Sequence, residues 1–492
     1  MQVSSLLPAW KDAQYHDHQK VGIHWMLELE ETGYTIPDTN HVIRGGILGD
    51  KMGVGKTIQS LGLIANSPAL KTLVITPLAV RGQWESELRR ADVNLYLPQQ
   101  WGSNWIPQPP IILGRKSVYL AHYDKVANKT ELCKGITYDR MILDEAHTIR
   151  NASTKKAESV LKIAKGVKHK WALTGTPITN SMDDVTTYLK FIGCPVDSGK
   201  KWQPKYEEWS RNLYLSRQLI ECIEDIVPPT PIEETIRLEF TNKDEEILYT
   251  GIHADEESKW RNAKALKGAS YQLAMFAILL RLRQVSVNPQ IYIKARQKEA
   301  FGWCGPEFHQ VSRKFDEVAH LMRDEAEIGV EHKWIVFCQF HEEMILLDAF
   351  LKAHDFVGQV LQYHGGMNMR EREQALLQSK LPTEAGKQDV FLIQLKAGST
   401  GLNLQHYDRI IFVSPWWTTA EMEQAKARAV RIGQKKVVKI YMLHLETEAA
   451  FNIDQFMMDK VFAKKDLANT FEKLSVHLRH TDAIEDTIQD EI

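Results

Sequence analysis

GGILGDKMGVGKT (45–57) follows a short apolar run and leads into the helix-like stretch TIQSLGLIANS (57–67). A strand, a glycine-rich turn and a helix in that order are the setting of a phosphate-binding loop. Gly53 and Gly55 let the backbone approach a ligand closely, and the loop amides and helix N-terminus present N–H groups to phosphate oxygens. Gly53, Val54, Gly55, Lys56 and Thr57 are therefore the candidate nucleotide-binding residues. Lys56 is expected to neutralise the β- and γ-phosphates and the Thr57 hydroxyl to bind Mg2+. The strict G-x-x-x-x-G-K-[ST] pattern is not met, because Asp50 stands where its first glycine would be. Alone, the stretch also reads as a glycine-rich turn with a surface lysine.

RMILDEAH (140–147) narrows that choice, since Asp144 and Glu145 directly follow an apolar run. This puts two carboxylates at the C-terminal edge of a sheet, where doubly wound folds bind ligands. Asp144 is the candidate Mg2+ ligand, directly or through water. Glu145 is the candidate base for the water that attacks the γ-phosphate of ATP.

Similar runs recur in both halves: TLVITP (72–77) and WALTGTP (171–177) in the first, KWIVFCQF (333–340), VFLIQL (390–395) and RIIFVSP (409–415) in the second. Each has the length and bounding of a buried parallel strand, and helix-like stretches such as TAEMEQAKARAVRI (419–432) lie between them. Strands alternating with helices predict an α/β fold of two doubly wound parallel-sheet lobes. VPPTP (227–231) and the helical periodicity of YQLAMFAILLRLRQV (271–285) interrupt the alternation. The reading places a first lobe over 1–240, a helical protrusion and linker over 241–304, a second lobe over 305–465 and an acidic tail over 466–492.

A chain of 492 residues exceeds one ordinary core, which agrees with two or three domains. No apolar run reaches the 18 or so residues of a membrane span, and the N-terminus lacks the pattern of a secretory signal, so neither a membrane nor secretion is expected. The formal net charge of −2 means that nucleic-acid contact has to come from local patches. Five cysteines without a C-x-x-C pair argue against zinc and against a disulfide framework, and read as core residues in a reducing compartment.

Gln424, Arg428 and Arg431 follow the spacing i, i+4, i+7, which puts them on one face of a helix. Such a face is compatible with a solvated stripe, or with arginines that complete an ATP site as an arginine finger does.

Together these segments resemble the Swi/Snf family of superfamily-two DNA-dependent ATPases, over residues 11–450. In order they are QKVGIHWM (19–26), the phosphate loop, ITPLAVRGQWESE (75–87), MILDEAHTIRN (141–151) and ALTGTPITNSMDDV (172–185). IVFCQF (335–340), YHGGMNMRER (363–372), KAGSTGLNLQ (396–405), PWW (415–417) and QAKARAVRIGQ (424–434) follow. Two departures are Gly49 and Lys51, where the family usually has Ala and Glu, and two more are Ala427 and Val430, where it usually has Gly and His.

The resemblance implies two RecA-like lobes that close on ATP and Mg2+, and translocation along double-stranded DNA without strand separation. It implies that Gln19 contacts adenine, that Arg428 and Arg431 face the phosphates, and that Thr174–Thr176 and Ser399–Asn403 link ATP state to DNA contact. The implied partner is duplex DNA carrying a protein to be displaced, whose identity the residues leave open. A strand-separating helicase and a DNA-binding scaffold are the alternatives. The chain is read as a minimal two-lobe member that works as a monomer, with a nuclear location, or a cytoplasmic one for a virus replicating there. Lys396, Arg81 and Arg115 are candidate phosphate contacts, as compatible with solvated cations; Trp416 and Trp417 are expected to brace the neighbouring segments by packing, with stacking on a base as the alternative.

Overall fold

The computed structural model describes residues 6–179, 181–197, 202–218, 228–263, 268–299, 305–398, 402–431, 433–447 and 452–460. The chain divides into two compact units, with the boundary between Val227 and Pro228.

The first unit holds a two-stranded pair, β1 (Tyr34–Thr35) and β2 (Val42–Ile43), beside a main sheet of eight strands. These are β3 (Gly45–Leu48), β4 (Lys71–Thr76), β5 (Val93–Pro98), β6 (Trp105–Gln108), β7 (Lys116–His122), β8 (Arg140–Leu143), β9 (His169–Leu173) and β10 (Tyr214–Leu215). Their order across the sheet is β10-β3-β9-β8-β4-β7-β5-β6, parallel throughout except for the edge strand β6. β3 and β8 are buried along their whole length, as their apolar runs require of strands covered on both faces. The helices are α1 (Asp17–Glu31), α2 (Lys56–Asn66), α3 (Leu78–Arg90), α4 (Tyr123–Asn128), α5 (Lys155–Ala164), α6 (Asp183–Ile192) and α7 (Pro204–Leu213).

The second unit holds six parallel strands: β11 (Ile232–Leu238), β12 (Lys333–Cys338), β13 (Val357–Tyr363), β14 (Gln388–Gln394), β15 (Arg409–Phe412) and β16 (Lys439–Leu445), in the order β11-β16-β15-β12-β14-β13. Its helices are α8 (Lys243–Ala263), α9 (Gly268–Val287), α10 (Pro289–Glu299), α11 (Arg313–Glu327), α12 (His341–Leu351), α13 (Met369–Gln378), α14 (Leu395–Gly398) and α15 (Thr419–Lys426). Alternate residues of each central strand enter different cores. Trp334, Val336 and Cys338 of β12 pack with α11 and α12, while Ile335 and Phe337 pack with Ala375 of α13 and Met422 of α15. This is a sheet wound on both faces, the architecture expected for each lobe.

All six strands read from sequence are present. The boundary near residue 240 is not where the chain changes sheets. β11 pairs along its length with β16, from Ile232 opposite Lys439 to Leu238 opposite Leu445, so the second sheet begins before residue 240. Four of its first residues are exposed, as on an edge strand, which removes the apolar run by which a strand is recognised. The acidic tail 466–492 lies outside the described residues. No helix among the described residues is long and apolar enough to cross a membrane.

Candidate nucleotide site

β3, β9 and β8 lie side by side, so the loops leaving their C-terminal ends share one edge of the first sheet. The loop after β3 turns through Gly53 (φ 90°) and Gly55 (φ 98°) before α2 starts at Lys56. Both glycines use the left-handed region that other residues avoid, and a Cβ on Gly55 would also fall 2.5 Å from Gln19 Nε2. The Lys56 ammonium donates to the Asp50 carbonyl at 2.7 Å, and Thr57 lies in the first turn of α2. Gly49, where the family has Ala, has a specific neighbour: a Cβ there would meet the Tyr214 ring at 2.1 Å.

Gln19 reaches the loop. Its Nε2 donates to the Val54 carbonyl at 3.2 Å, while its Oε1 accepts the His16 N–H at 3.1 Å and so caps α1. His18 Nε2 lies 2.9 Å from the same Val54 carbonyl. A carbonyl only accepts, so Nε2 carries the proton, and burial holds the imidazolium pKa below its ordinary value. His18 had no motif to announce it; its signal was only a polar residue on the buried side of an amphipathic helix.

Asp144 extends the line of β8, its N–H donating to the Ile75 carbonyl at 2.8 Å. Its Oδ2 accepts the Trp84 indole N–H at 2.7 Å, its Oδ1 accepts the Glu145 N–H at 3.0 Å, and its carbonyl accepts the Tyr123 hydroxyl at 2.7 Å. Burial, followed by the charge of Glu145, pushes the Asp144 carboxyl up to about 6, against the pull of the Trp84 N–H and of Lys56. Glu145 adopts φ 48°, ψ 55°, a left-handed conformation that costs a non-glycine residue on the order of 1 kcal/mol or more. That twist turns the chain out of the strand into a 3-10 turn, Ala146–Ile149, and sets Glu145 Oε2 3.2 Å from His147 Nδ1. Next along the edge, Thr176 N–H donates to Thr174 Oγ1 at 3.2 Å, and Thr176 Oγ1 is buried without a hydrogen-bond partner among the described residues.

This donor set fits Mg2+ and a triphosphate. Hard oxygen donors, one carboxylate and one hydroxyl, suit a cation that keeps waters and shares phosphate oxygens, and the loop amides with Lys56 suit the phosphates. Among the described residues no group of three or more His, Cys, Asp or Glu side chains is arranged to hold a metal ion.

In the second unit the structure corrects one expectation. The helix read over 419–432 ends at Lys426, so Gln424, Arg428 and Arg431 do not share a helical face. The Arg428 carbonyl accepts the N–H of Leu404, from the GLNLQ segment, at 3.0 Å, and Arg428 N–H turns back to the Ala425 carbonyl at 3.2 Å. A residue from another segment thus bonds the turn that follows α15. Gln434 Nε2 donates to the carbonyls of Gln405 and Tyr407, both at 2.9 Å, so one backbone bond and one side-chain amide join the two segments. Arg428 is buried in this turn; Arg431 is partly exposed, and burial lowers its guanidinium pKa. Lys426 holds the end of α15 to β11 through both oxygens of Glu233, at 2.9 and 2.8 Å.

Trp416 is buried and packs as expected. Between it and Trp417 lies the guanidinium of Arg283, 4.9 Å from each ring centre, and Lys396 stands 5.9 Å from the Trp416 ring. Arg115 pairs with Asp92 at 2.6 Å and Arg81 with Glu85 at 3.9 Å. Ser399, Thr400 and Gly401 lie outside the described residues.

Comparison with known proteins adds the relatives. The SNF2-related domain matches residues 18–291 and the helicase conserved C-terminal domain residues 313–433. The chain is 27% identical over 87% of its length to "Probable ATP-dependent DNA helicase CHR23" of Arabidopsis thaliana, and spans 41% of it. It is 24% identical over 89% of its length to the chromatin structure-remodeling complex subunit snf21 of Schizosaccharomyces pombe, and spans 38% of it. It is 26% identical over 92% of its length to "Probable global transactivator" of Orgyia pseudotsugata multicapsid polyhedrosis virus, and spans 90% of that protein. It spans 46% of a Bacillus subtilis relative, so most of these relatives are more than twice the length matched. The solved SWI2/SNF2 ATPase core of Sulfolobus solfataricus in complex with dsDNA aligns over 97% of this chain and all of that one, at 21% identity and a TM-score of 0.41.

Proposed function

Because the chain belongs to the Swi/Snf family of superfamily-two DNA-dependent ATPases, we propose that it translocates on double-stranded DNA to displace or remodel bound protein, without separating the strands. The observation that carries the catalytic part is the meeting of Lys56, Asp144 and Glu145 at one sheet edge, on the loops that leave β3 and β8 on either side of β9. In this reading Lys56 leaves the Asp50 carbonyl for the β- and γ-phosphates, and Thr57 and Asp144 would hold Mg2+, which would screen phosphate charge. Glu145 accepts the proton of the attacking water, and Gln19 turns from Val54 toward adenine. Arg428 and Arg431 supply positive charge for the transition state from the second unit.

The DNA part is supported by the names of the relatives, a DNA helicase and a chromatin-remodeling subunit among them. Contacts to phosphates carry no base information, so binding is sequence-independent and salt-sensitive. The compartment follows the DNA: the nucleus for a chromatin substrate, the cytoplasm for a virus replicating there.

Steady-state ATP hydrolysis is measured alone and with duplex DNA, single-stranded DNA or RNA, with Glu145→Gln as control. Stimulation by duplex without release of a labelled strand supports translocation. Stimulation confined to single strands or RNA, or strand release, assigns the chain to strand separation instead, and absence of hydrolysis leaves a scaffold.

A further inference from the structure

We infer that Arg217, a residue outside every motif, is a positioning residue for the nucleotide cradle, acting through Asp50 and Gln59; the inference rests on the ATPase reading above. Arg217 follows β10, and its side chain is 13% exposed. The guanidinium grips the Asp50 carboxylate with two parallel bonds, Nε to Oδ1 at 3.0 Å and Nη2 to Oδ2 at 2.6 Å. Nη2 also donates to Gln59 Oε1 at 2.8 Å, and Nη1 to the carbonyl of His18. Gln59 closes the ring by donating Nε2 to Asp50 Oδ2 at 2.9 Å. The backbone joins in: the Lys51 N–H donates to the Arg217 carbonyl at 3.0 Å, and Ser216 Oγ to the Gly49 carbonyl at 3.0 Å.

Three parts of the cradle thus meet on one planar group: the loop at Asp50, α2 at Gln59, and α1 beside Gln19. Asp50 and Gln59 are fully buried, and the Asp50 carbonyl is the one that receives the Lys56 ammonium. Asp50 thus offers its carboxylate to Arg217 and its carbonyl to Lys56, so losing the grip on the carboxylate frees the loop backbone that carries this carbonyl. A guanidinium fork sets orientation as well as charge, which a lysine does not. Gly22 of α1 leaves the room: a Cβ there would fall 2.0 Å from Gln59 Oε1 and 2.7 Å from Arg217 Nη2. The same geometry accounts for Asp50 standing where the strict loop pattern has glycine, since its carboxylate is the socket for Arg217.

The test is Arg217→Lys in the full chain, which keeps the buried positive charge and loses the fork. The readouts are the melting temperature, the Kd for a fluorescent ATP analogue without DNA, and KM against kcat for ATP. The expected result is a nearly unchanged melting temperature with Kd and KM both raised about tenfold, and a smaller change in kcat. In a cycle with Asp50→Asn, the two changes in Kd are expected to be strongly non-additive. A lowered melting temperature with parental Kd and KM in the folded protein, or additive changes in the cycle, overturns the inference. If Arg217→Lys does not fold, Gln59→Met, which leaves the ion pair in place, is read instead: a raised Kd supports the linkage and a parental Kd overturns it. Because Kd is measured without DNA, a parent protein that binds ATP but ignores DNA refutes the motor reading alone; one that binds no ATP refutes both.

Discussion

Trp84 of α3 donates its indole N–H to Asp144 Oδ2 at 2.7 Å, and both residues are buried. The bond favours the carboxylate over the acid, which suits the cation-binding role proposed for Asp144. Trp84→Phe keeps an aromatic side chain, removes the donor and leaves a small void in the core, so the folded fraction is checked alongside. The expected outcome is an Asp144 carboxyl that holds its proton more tightly and a Mg2+ requirement raised about tenfold. Mg2+ titration of nucleotide binding measures it; an unchanged requirement would detach Asp144 from the metal.

The Asp144 pKa of about 6 also sets a pH dependence. The carboxyl is raised in the folded protein, so the folded state binds the extra proton. Its contribution to stability is full below the ordinary carboxyl range and declines as pH rises through about 6. In the proposed role Mg2+ would reverse that preference, because it needs the ionised group. Apparent Mg2+ affinity is therefore expected to fall about tenfold between pH 7 and pH 5, and calorimetry in buffers of different ionisation heat should show proton release on binding. Asp144→Asn should abolish the release.

Lys56→Ala should weaken nucleotide binding, whereas Glu145→Gln should bind normally and lose turnover by roughly 10² or more. Parental hydrolysis by Glu145→Gln would remove this residue from the base role.

Arg431→Ala is expected to reduce kcat far more than ATP affinity, since a charge acting on the transition state contributes little to ground-state binding. Single-turnover hydrolysis beside equilibrium nucleotide binding distinguishes the two. A normal kcat would take Arg431 out of the site.

Arg140 is fully buried and paired with Glu30, Nε to Oε1 at 2.6 Å; Trp171 and Ser67 donate to the same carboxylate at 2.9 and 2.7 Å. This pair ties α1, which carries Gln19, to β8, which leads into Asp144. Arg140→Met leaves the carboxylate without its cation and is expected to cost about 3 kcal/mol, read by urea unfolding. Adding Glu30→Leu should recover a large part of the loss.

The apolar runs of β4, β8, β9, β12, β14 and β15 were legible because strands buried on both faces need side chains that tolerate no water. β11 was not: as an edge strand it reads IEETIRL, whose polar residues face solvent, and only its pairing with β16 makes it a strand. The motif around Arg428 showed its residue types but not its conformation. A helix and a turn place the same sequence differently, and the turn found here bonds Leu404, a residue from another segment that local periodicity does not reveal.

By itself the sequence determined which atoms are available: a lysine and a hydroxyl after a glycine-rich turn, two carboxylates after an apolar strand, and the order of the segments that hold them. Those are local properties, set by side-chain chemistry and backbone freedom. Only the tertiary structure decided the state of those groups. The Asp144 pKa depends on burial and on Glu145, Trp84 and Lys56, and the loop is held by Arg217, 167 residues beyond Asp50. Desolvation and hydrogen bonding act over a few ångströms regardless of chain separation, so neither can be read from the order of residues alone.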